Sequence, residues 1–317
     1  MKAFVYESYG PPEALRMAEV EKPTPEANEA LVHVLAASVN PADWHSLRGK
    51  PLFSRLTLGL LRPKQRILGV DVAGRIEAVG GVVTRFKVGD EIYANLLDVG
   101  YGGFAEYVSV PVDVLAPKPA NLSFEEAAAV PMAAVTALQG LGHHGGVQPG
   151  QDVLVNGASG GVGSYAVQIA KAHGAEVTGV TSTRNLDLVR SLGVDHVVDY
   201  TTTDFTRTGE RYDLVLDTIG NRSVSDLRRA LAEEGKAAVT GFTSIGKLLG
   251  VSLRGGTDVD QVTAHVKTGD LEVLSELIEA GKVRPAIDRR YPFAEMPAAI
   301  AYLEQGHARG KVVVGAG

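Results

Sequence analysis

The sequence predicts an α/β protein made of two domains, one rich in β-strands and one built on a doubly wound parallel sheet. Residues 1–121 contain short β segments separated by turns, whereas strands and helices alternate from Ser123 to about residue 256. The length of 317 residues also exceeds what one hydrophobic core usually serves. We therefore assign residues 1–121 and 257–317 to the β-rich domain, and residues 122–256 to the doubly wound domain.

Individual elements follow from short apolar runs and from the signals that begin or end them. The clearest strands of the first part are predicted at residues 31–39, 73–79 and 104–108. Ser123 and Glu126 have the spacing of a capping box, which predicts that a helix begins there. The C-terminal part is predicted to contain amphipathic helices near 270–280 and 294–305, followed by a strand at 311–314.

A glycine-rich turn between a buried strand and a helix is the most informative motif of the chain. Residues 157–163 read Gly-Ala-Ser-Gly-Gly-Val-Gly and follow an apolar strand at 153–155. Glycines allow a sharp turn and let backbone N–H groups approach a pyrophosphate, at which the following helix points its positive end. An ordinary strand-to-helix connection is the alternative. Because strand, turn, helix and second strand fit within about 30 residues, we predict a dinucleotide site using Ala158, Gly160, Gly161, Val162 and Gly163.

The residues after the second strand bear on the choice between NAD and NADP. The strand predicted at 176–181 ends without the carboxylate that would accept hydrogen bonds from ribose hydroxyls. Ser182, Thr183 and Arg184 follow instead, and two hydroxyls with a guanidinium suit a phosphate dianion. Ser182 or Thr183 could also cap a helix at 185–192, and both roles could coexist. We predict that these three residues bind NADP(H) at its 2′-phosphate.

Composition and charge limit the classes of function. The net charge of −6 gives no support to binding of nucleic acids or anionic membranes. The first residues carry charge where a signal peptide would be apolar, and the sequence has no uninterrupted apolar run of about 20 residues. A cytoplasmic location is the default expectation. The chain has no cysteine, which excludes disulfides, thiolate nucleophiles and cysteine-ligated zinc.

Five motifs, spread over nearly the whole chain, carry a resemblance to a known family. They are Val-Asn-Pro-Ala-Asp-Trp at 39–44, Leu-Gly-Val-Asp-Val-Ala-Gly at 68–74, Phe-Lys-Val-Gly-Asp-Glu-Ile-Tyr at 86–93, the glycine turn, and Arg-Gly-Lys-Val-Val-Val at 309–314. Together they resemble the medium-chain dehydrogenase/reductases, in the zinc-free quinone oxidoreductase branch that is similar to zeta-crystallin. The resemblance implies a Rossmann domain that binds NADP(H), a GroES-like catalytic domain, and hydride transfer to quinones or α,β-unsaturated carbonyls.

The resemblance also bears on metal binding. Zinc-dependent members of this superfamily ligate their catalytic metal with a cysteine after an early strand and with a His-Glu pair after a glycine. This chain has Asn40 at the first position, and Gly69 is followed by Val70 and Asp71. Three convergent metal ligands are not visible there, so we expect no catalytic metal. We interpret His143-His144, which follow a predicted helix, as a helix C-terminal cap rather than a ligand pair.

Single residues acquire expected roles from the same resemblance. Asn40 matches an asparagine near the nicotinamide and the substrate carbonyl, and an Asx turn before Pro41 is the local alternative. His45 stands where quinone reductases often carry tyrosine and zinc alcohol dehydrogenases carry a proton-relay histidine; a structural surface histidine is equally compatible. Cofactor contacts are implied for Thr136, Tyr200 and Lys311. Helix back-bonding by the hydroxyl is the alternative for Thr136, and an exposed charge is the alternative for Lys311.

Three functions remain compatible with the sequence. The first is an NADPH-dependent reductase of quinones or enones that acts on a small hydrophobic conjugated carbonyl. The second is a zinc-independent alcohol or aldehyde oxidoreductase with His45 as a relay. The third is an NADPH-binding sensor or structural protein with little turnover. The family also implies a homodimer joined through edge strands, for which residues 248–254 are the candidate edge.

Overall fold

The computed structural model describes residues 1–315, apart from the side chains of Ile245 and Leu248. Its strands are β1 Lys2–Val5, β2 Arg16–Glu19, β3 Glu29–Val39, β4 Asp71–Val79, β5 Glu91–Asn95, β6 Tyr107–Pro111, β7 Leu115–Pro117, β8 Asp152–Asn156, β9 Glu176–Thr181, β10 His196–Asp199, β11 Tyr212–Asp217, β12 Leu231–Val239, β13 Val259–Gln261, β14 Ile287–Pro292 and β15 Lys311–Gly315. Its α-helices are α1 Pro41–Arg48, α2 Arg55–Leu58, α3 Phe124–Ala128, α4 Pro131–Gly142, α5 Gly161–Ala172, α6 Leu186–Ser191, α7 Val224–Ala230, α8 Ile245–Arg254, α9 Thr268–Glu279 and α10 Met296–Glu304.

The chain divides into two compact units. Unit 1 comprises Met1–Met132, Val266–Glu279 and the chain from Ile287 onward, and unit 2 comprises Ala133–His265 with Ala280–Ala286. The first boundary falls later than the expected residue 121, because α3 packs on β3 and β4 of unit 1. The second also falls later than residue 256, because β13 pairs with β12 and so belongs to unit 2.

Unit 1 is built on a seven-stranded sheet with β3 at its centre. The strand order is β14-β15-β3-β4-β5-β7, and β6 pairs with the first half of β3. All pairs are antiparallel except β14 with β15. The second half of β3 lies between β4 and β15, with Ser38 opposite Asp71 and Val39 opposite Val312. This register brings the beginnings of β4 and β15 beside the end of β3, where the candidate site of unit 1 lies.

Unit 2 contains a six-stranded, fully parallel sheet in the order β10-β9-β8-β11-β12-β13. This is the doubly wound order in which ligands bind beyond the carboxyl ends of the strands, where the strand order reverses. The reversal lies at β8, whose residues Val153, Leu154 and Val155 are fully buried. The predicted doubly wound Rossmann fold is therefore confirmed, and the glycine turn begins at its switch point.

The expected edge strand at residues 248–254 is wrong, because these residues belong to helix α8. The Ser244 side chain accepts a hydrogen bond from the Lys247 backbone N–H and so caps the helix. Val251 is buried whereas Leu249 and Leu253 are exposed, so the apolar run was misread as a two-residue strand period. The end of the parallel sheet is instead the three-residue strand β13. Within residues 1–315, no helix has both the length and the apolar content that a membrane crossing would require.

Candidate active site

The glycine turn of unit 2 connects β8 to α5 in a form that suits a pyrophosphate. The backbone N–H groups of Gly157 and Ala158 both donate to the Val180 carbonyl of β9, at 3.1 and 3.0 Å. A Cβ on Gly163 would lie 2.1 Å from the Gly157 carbonyl oxygen, so only glycine permits this approach of α5 to the turn. Gly160 is the N-cap of α5 and provides no side-chain cap. The first N–H groups of α5 can therefore bind an anion, and the turn fits a dinucleotide.

Ser159 ties the turn to the loop after β9, a contact that the sequence analysis missed. Its hydroxyl oxygen accepts hydrogen bonds from Thr181 Oγ1 at 2.9 Å and from Asn185 Nδ2 at 3.0 Å. Because Ser159 lies inside the glycine motif, its position was a usable signal. The contact fixes the start of the loop that carries the predicted phosphate-binding residues.

The residues predicted to bind the 2′-phosphate follow β9 at the same end of the sheet. Ser182 makes no capping hydrogen bond, and Asn185 rather than Ser182 or Thr183 is the N-cap of α6. The Thr183 hydroxyl donates to Asp199 at the end of β10 and lies 3.0 Å from Thr201 Oγ1. Arg184 is exposed. Of the three, Ser182 and Arg184 are therefore the better placed to contact a phosphate.

Asp199 is a carboxylate that the sequence analysis did not consider. Hydrogen bonds from Thr183 and Thr201 hold the pKa of Asp199 below its usual value, so this group is anionic at neutral pH. Asp199 pairs in register with Thr181, the last residue of β9. Its charge opposes a phosphate bound at Thr183, and any 2′-phosphate would depend on the Arg184 guanidinium to offset it.

The other predicted cofactor contacts of unit 2 differ in exposure. Ala158 is fully buried in the turn, and Thr136 is 9% exposed on α4. Tyr200 follows β10 and is 57% exposed, while its backbone N–H donates to the Thr181 carbonyl at 2.9 Å. The ends of β8, β9 and β10 are neighbours in the sheet. The structure therefore brings Tyr200 and the 182–184 segment to the strand ends from which the glycine turn begins.

Unit 1 contains a buried polar cluster formed by Ser38, Asn40, Asp71 and Lys311. The side chains of these four residues are at most 4% exposed. Asp71 Oδ2 accepts hydrogen bonds from Ser38 Oγ and Asn40 Nδ2, each at 2.9 Å. The other oxygen, Oδ1, accepts from the Met132 backbone N–H at 2.9 Å. Lys311 Nζ donates to Asn40 Oδ1 and lies 3.4 Å from Asp71 Oδ2. Lys311 is thus a buried side chain, and its interpretation as an exposed charge is wrong.

Both N–H donors of the Asn40 side-chain amide are engaged within the cluster. Its nitrogen donates to Asp71 Oδ2 at 2.9 Å and to the Ser38 carbonyl at 3.2 Å, while its oxygen accepts from Lys311. An amide nitrogen has two hydrogens, so Asn40 could donate to a substrate carbonyl only after one of these bonds breaks. The Lys311 ammonium has three donors and Asn40 and Asp71 take two of them. Among the four residues of the cluster, only Lys311 has a side chain that can carry a positive charge.

Burial changes the acid–base properties of the carboxylates here. Asp43 of α1 accepts hydrogen bonds from the backbone N–H groups of Asn40 at 2.8 Å and Gly69 at 3.0 Å. Despite these bonds, burial raises the pKa of Asp43 to about 7. Burial likewise raises the pKa of Asp71 and lowers the pKa of Lys311, while the attraction between these two groups acts against both shifts.

His45 lies on helix α1, and its ring stacks on that of Trp44 with the ring centroids 3.7 Å apart. The side chain is half-buried, and burial lowers the pKa of His45 below its usual value. At neutral pH the imidazole is therefore uncharged. It can donate or accept one proton through a hydrogen bond, but it does not supply a positive charge.

The residues of unit 1 do not fit the catalytic zinc of the zinc-dependent relatives. Such a site needs three protein ligands from cysteine, histidine or carboxylates. The chain has no cysteine, and position 40 is an asparagine whose oxygen already accepts from Lys311. Asp71 lies beside the same ammonium. A second cation at this place would be repelled by Lys311, so no step is assigned to a metal.

Comparisons with known proteins agree with this architecture. The family model described as an alcohol dehydrogenase GroES-like domain matches residues 26–120, and the one described as a zinc-binding dehydrogenase matches residues 192–314. The chain is 37% identical to the chloroplastic NADPH-dependent alkenal/one oxidoreductase of Arabidopsis thaliana, over 99% of this chain and 79% of that protein.

Two solved structures are similar over the full length of this chain. The quinone oxidoreductase from Coxiella burnetii has a TM-score of 0.90 and 30% identity, with 99% of its own chain covered. A structure described as an NAD-dependent alcohol dehydrogenase has a TM-score of 0.85 and 30% identity, with 100% covered. The chain therefore belongs to the medium-chain dehydrogenase/reductase superfamily of nicotinamide-dependent oxidoreductases, in its quinone oxidoreductase-like branch.

Proposed function

We propose that this chain is an NADPH-dependent reductase of quinones and α,β-unsaturated carbonyls that works without a catalytic zinc. The observation that carries this proposal is the contact of the buried Lys311 ammonium with Asn40 and Asp71, where zinc-dependent relatives place metal ligands. The similarity to an alkenal/one reductase and to a quinone oxidoreductase supports the same substrate class. A small hydrophobic acceptor remains the expected substrate.

The acceptor follows from what the residues can stabilise. Without a Lewis acid, an isolated ketone is difficult to polarise at neutral pH. In an enone or a quinone, conjugation carries the incoming negative charge to oxygen, where a buried cation or hydrogen-bond donor stabilises it by about 3 kcal/mol per good donor. We assign the positive charge to Lys311 and the orientation of its ammonium to Asn40 and Asp71. Asn40 was predicted to lie near the nicotinamide and the substrate carbonyl, and here we assign it a positioning role that acts through Lys311.

The reduction of an enone adds one hydride and one proton across the carbon–carbon double bond. The reduced nicotinamide, when bound, supplies a hydride. The hydride forms a C–H bond at the β-carbon, the electrons of the carbon–carbon double bond move toward the carbonyl oxygen, and a proton then adds to the α-carbon. His45, uncharged at neutral pH, can pass that proton from water through its ring nitrogens, and water alone is the alternative donor. A quinone accepts the same hydride and one proton to become a hydroquinone.

The preference for NADP(H) over NAD(H) is part of this proposal. Arg184 is exposed after β9 and can form charge-assisted hydrogen bonds with a 2′-phosphate, together with the Ser182 hydroxyl. Thr183 contributes less, because its hydroxyl donates to Asp199. The contacts of Thr136, Tyr200, Lys311 and the glycine turn with the cofactor remain predictions, as do a homodimer and a cytoplasmic location.

Cofactor oxidation by protein treated with a chelator tests the proposal. NADPH is supplied with 1,2-naphthoquinone in one assay and with an alkenal in the other, after metal analysis has shown that no zinc is bound. We expect turnover in at least one assay, undiminished by the chelator. No oxidation with either acceptor would contradict the proposal, as would activity that is lost on chelation while the protein stays folded and that Zn²⁺ restores. Reduction of NADP⁺ by simple alcohols, with no enone reduction, would favour the alcohol oxidoreductase instead.

A further inference from the structure

A second group of polar side chains lies in unit 2, apart from the glycine turn and the 182–184 segment. His143 and His144 follow the end of α4, and Asp260 is the middle residue of β13. His143 Nε2 lies 3.6 Å from Asp260 Oδ2, and His144 Nε2 lies 3.8 Å from the same oxygen. The three candidate ligand atoms all lie within 4.8 Å of one another. The fold thus brings Asp260 and two histidines that precede it by 116 and 117 positions to one place at the edge of the parallel sheet.

The distances suit a shared cation better than direct hydrogen bonds. A charge-assisted hydrogen bond between a ring nitrogen and a carboxylate oxygen spans about 2.7–2.9 Å. Two ligands of one tetrahedral Zn²⁺ are separated by about 3.4 Å, because each lies about 2.1 Å from the metal. The separations of 3.6 and 3.8 Å are close to the second value. The ligand atoms of the two imidazoles lie within 4.8 Å of each other, and the rings must rotate until both nitrogens reach one ion.

His144 shows the feature expected of a metal ligand. Its Nε2 atom is buried and has no hydrogen-bond partner among the residues that the structure describes. The ring also forms a hydrogen bond with the backbone of Ala237. Metal-binding histidines usually engage one ring nitrogen with a backbone carbonyl or carboxylate and leave the other for the metal. A buried nitrogen without a partner is unfavourable, and a bound cation would satisfy it.

We propose that His143, His144 and Asp260 bind one divalent transition-metal ion of the Zn²⁺ type, with water as the fourth ligand. Two imidazoles and one carboxylate leave a net charge of +1 around the ion, which water can solvate at this partly exposed position. The ion would join the end of α4 to β13, a three-residue strand at the edge of its sheet. We assign the site a structural role, because none of its ligands belongs to the residues proposed for hydride transfer or cofactor binding.

Metal titration of tag-free, chelator-stripped protein tests the site. Zn²⁺ binding is measured by calorimetry, and Co²⁺ binding by the absorption of a four-coordinate ion. We expect one equivalent per chain, with Zn²⁺ affinity at least tenfold weaker in Asp260→Asn and in His144→Ala. His196→Ala is the matched control, because His196 lies 3.1 Å from Glu176 in a single histidine–carboxylate pair of the same unit. It should bind one equivalent with unchanged affinity.

Thermal denaturation gives a second, independent measurement. Zn²⁺ should raise the melting temperature of the wild type and leave that of Asp260→Asn unchanged, because only a folded site binds the ion. If Asp260→Asn does not fold, His143→Gln takes its place, since His143 is 38% exposed. The proposal is overturned if the wild type shows no saturable binding, or if the ligand variants bind Zn²⁺ as tightly as the wild type. Neither result depends on whether the protein reduces enones, and Asp260→Asn should keep the wild-type rate of NADPH oxidation.

Discussion

The glycine turn of unit 2 and the polar cluster of unit 1 are built in opposite ways. The turn consists of seven consecutive residues, 157–163, and acts through backbone N–H groups and the absence of side chains. The cluster acts through side chains, and its Asn40 amide bonds to residues 31 and 271 positions away. Only the pairing of the strands brings the residues of the cluster together, because β3 lies between β4 and β15. A local motif therefore encodes the cofactor turn, whereas the charged site depends on long-range pairing.

Substitutions in the two regions should also have different effects. The turn contains no ionisable side chain, so we expect it to respond to steric changes. The cluster holds buried charges that have lost their water, so we expect it to respond to changes of charge and pH. Lys311 and the neighbouring Asp43 test the response to charge and pH, Gly163 tests the steric response of the turn, and Arg184 tests the loop that follows β9.

Removing the cation of the cluster should have the largest effect. Lys311→Met leaves the Asp71 carboxylate buried without its partner, which should lower the free energy of unfolding by about 3–5 kcal/mol. The unfolding of unit 1 in urea can be measured by the fluorescence of Trp44, which is the one tryptophan of the chain. Lys22→Met is the control, because it removes an exposed ion pair with Glu77 and should change stability little. A Lys311→Met protein as stable as the wild type would show that the cluster does not depend on its charge pair.

A side chain at Gly163 should disturb the turn sterically. The Cβ of Gly163→Ala would lie 2.1 Å from the Gly157 carbonyl oxygen, so α5 must move away from the turn. We expect a loss of about 1–3 kcal/mol of stability and much weaker NADPH binding by calorimetry. Gly142→Ala is the matched control, because its Cβ would meet no atom within 4 Å. Equal NADPH affinity in the two variants would contradict the role of the close approach.

Asp43 should make the stability of unit 1 fall as the pH rises. Its folded-state pKa is raised from 3.8 to about 7, so its stabilising contribution is complete below pH 4 and is lost as the pH rises through 7. Between pH 5 and pH 7 the loss should be roughly 1 kcal/mol per pH unit. Asp43→Asn cannot ionise and should flatten this part of the profile, although it is less stable at pH 5. Parallel wild-type and variant profiles in urea denaturation would rule out this assignment.

Replacing Arg184 should lower the affinity for NADPH much more than the affinity for NADH. Arg184→Ala removes the guanidinium proposed to bind the 2′-phosphate, so NADPH affinity should fall about tenfold, or ~1.4 kcal/mol, while NADH affinity stays nearly constant. Both dissociation constants can be measured by calorimetry. Arg190→Ala on α6 is the matched control, because Arg190 pairs with Asp187 of the same helix. Equal losses for NADPH and NADH in Arg184→Ala would remove Arg184 from the cofactor site.

Local signals predicted much of the fold. Strand β9 covers Glu176–Thr181, as predicted, because it is a short apolar run between clear helix and turn signals. The predicted capping box is confirmed: Ser123 Oγ accepts from the Glu126 backbone N–H, and the Glu126 carboxylate accepts from the Ser123 N–H. Local signals failed at α8, where glycine and alternating apolar residues resembled a strand. They also placed a strand at 104–108 that the structure begins at Tyr107.

The residues of the candidate site also differ in whether they could be predicted from the sequence. The glycine turn could be found because its residues are consecutive. Asn40 and Lys311 were found separately by resemblance, but their contact with each other could not be predicted from their positions in the chain. Asp43 and Asp71 lie in motifs that were recognised, yet their burial depends on the pairing of β3 with β4 and β15. Likewise, only the folded chain brings Asp260 close to His143 and His144.

The fate of a labelled hydride distinguishes transfer to the β-carbon of an enone from transfer to its carbonyl carbon. The enzyme is supplied with NADPH carrying deuterium at the transferable C4 position and with an α,β-unsaturated ketone, and the product is analysed by NMR and mass spectrometry. We predict a saturated ketone with one deuterium at the β-carbon and a solvent-derived hydrogen at the α-carbon. Deuterium at the carbonyl carbon of an allylic alcohol, or no transfer of deuterium to any product, would contradict it.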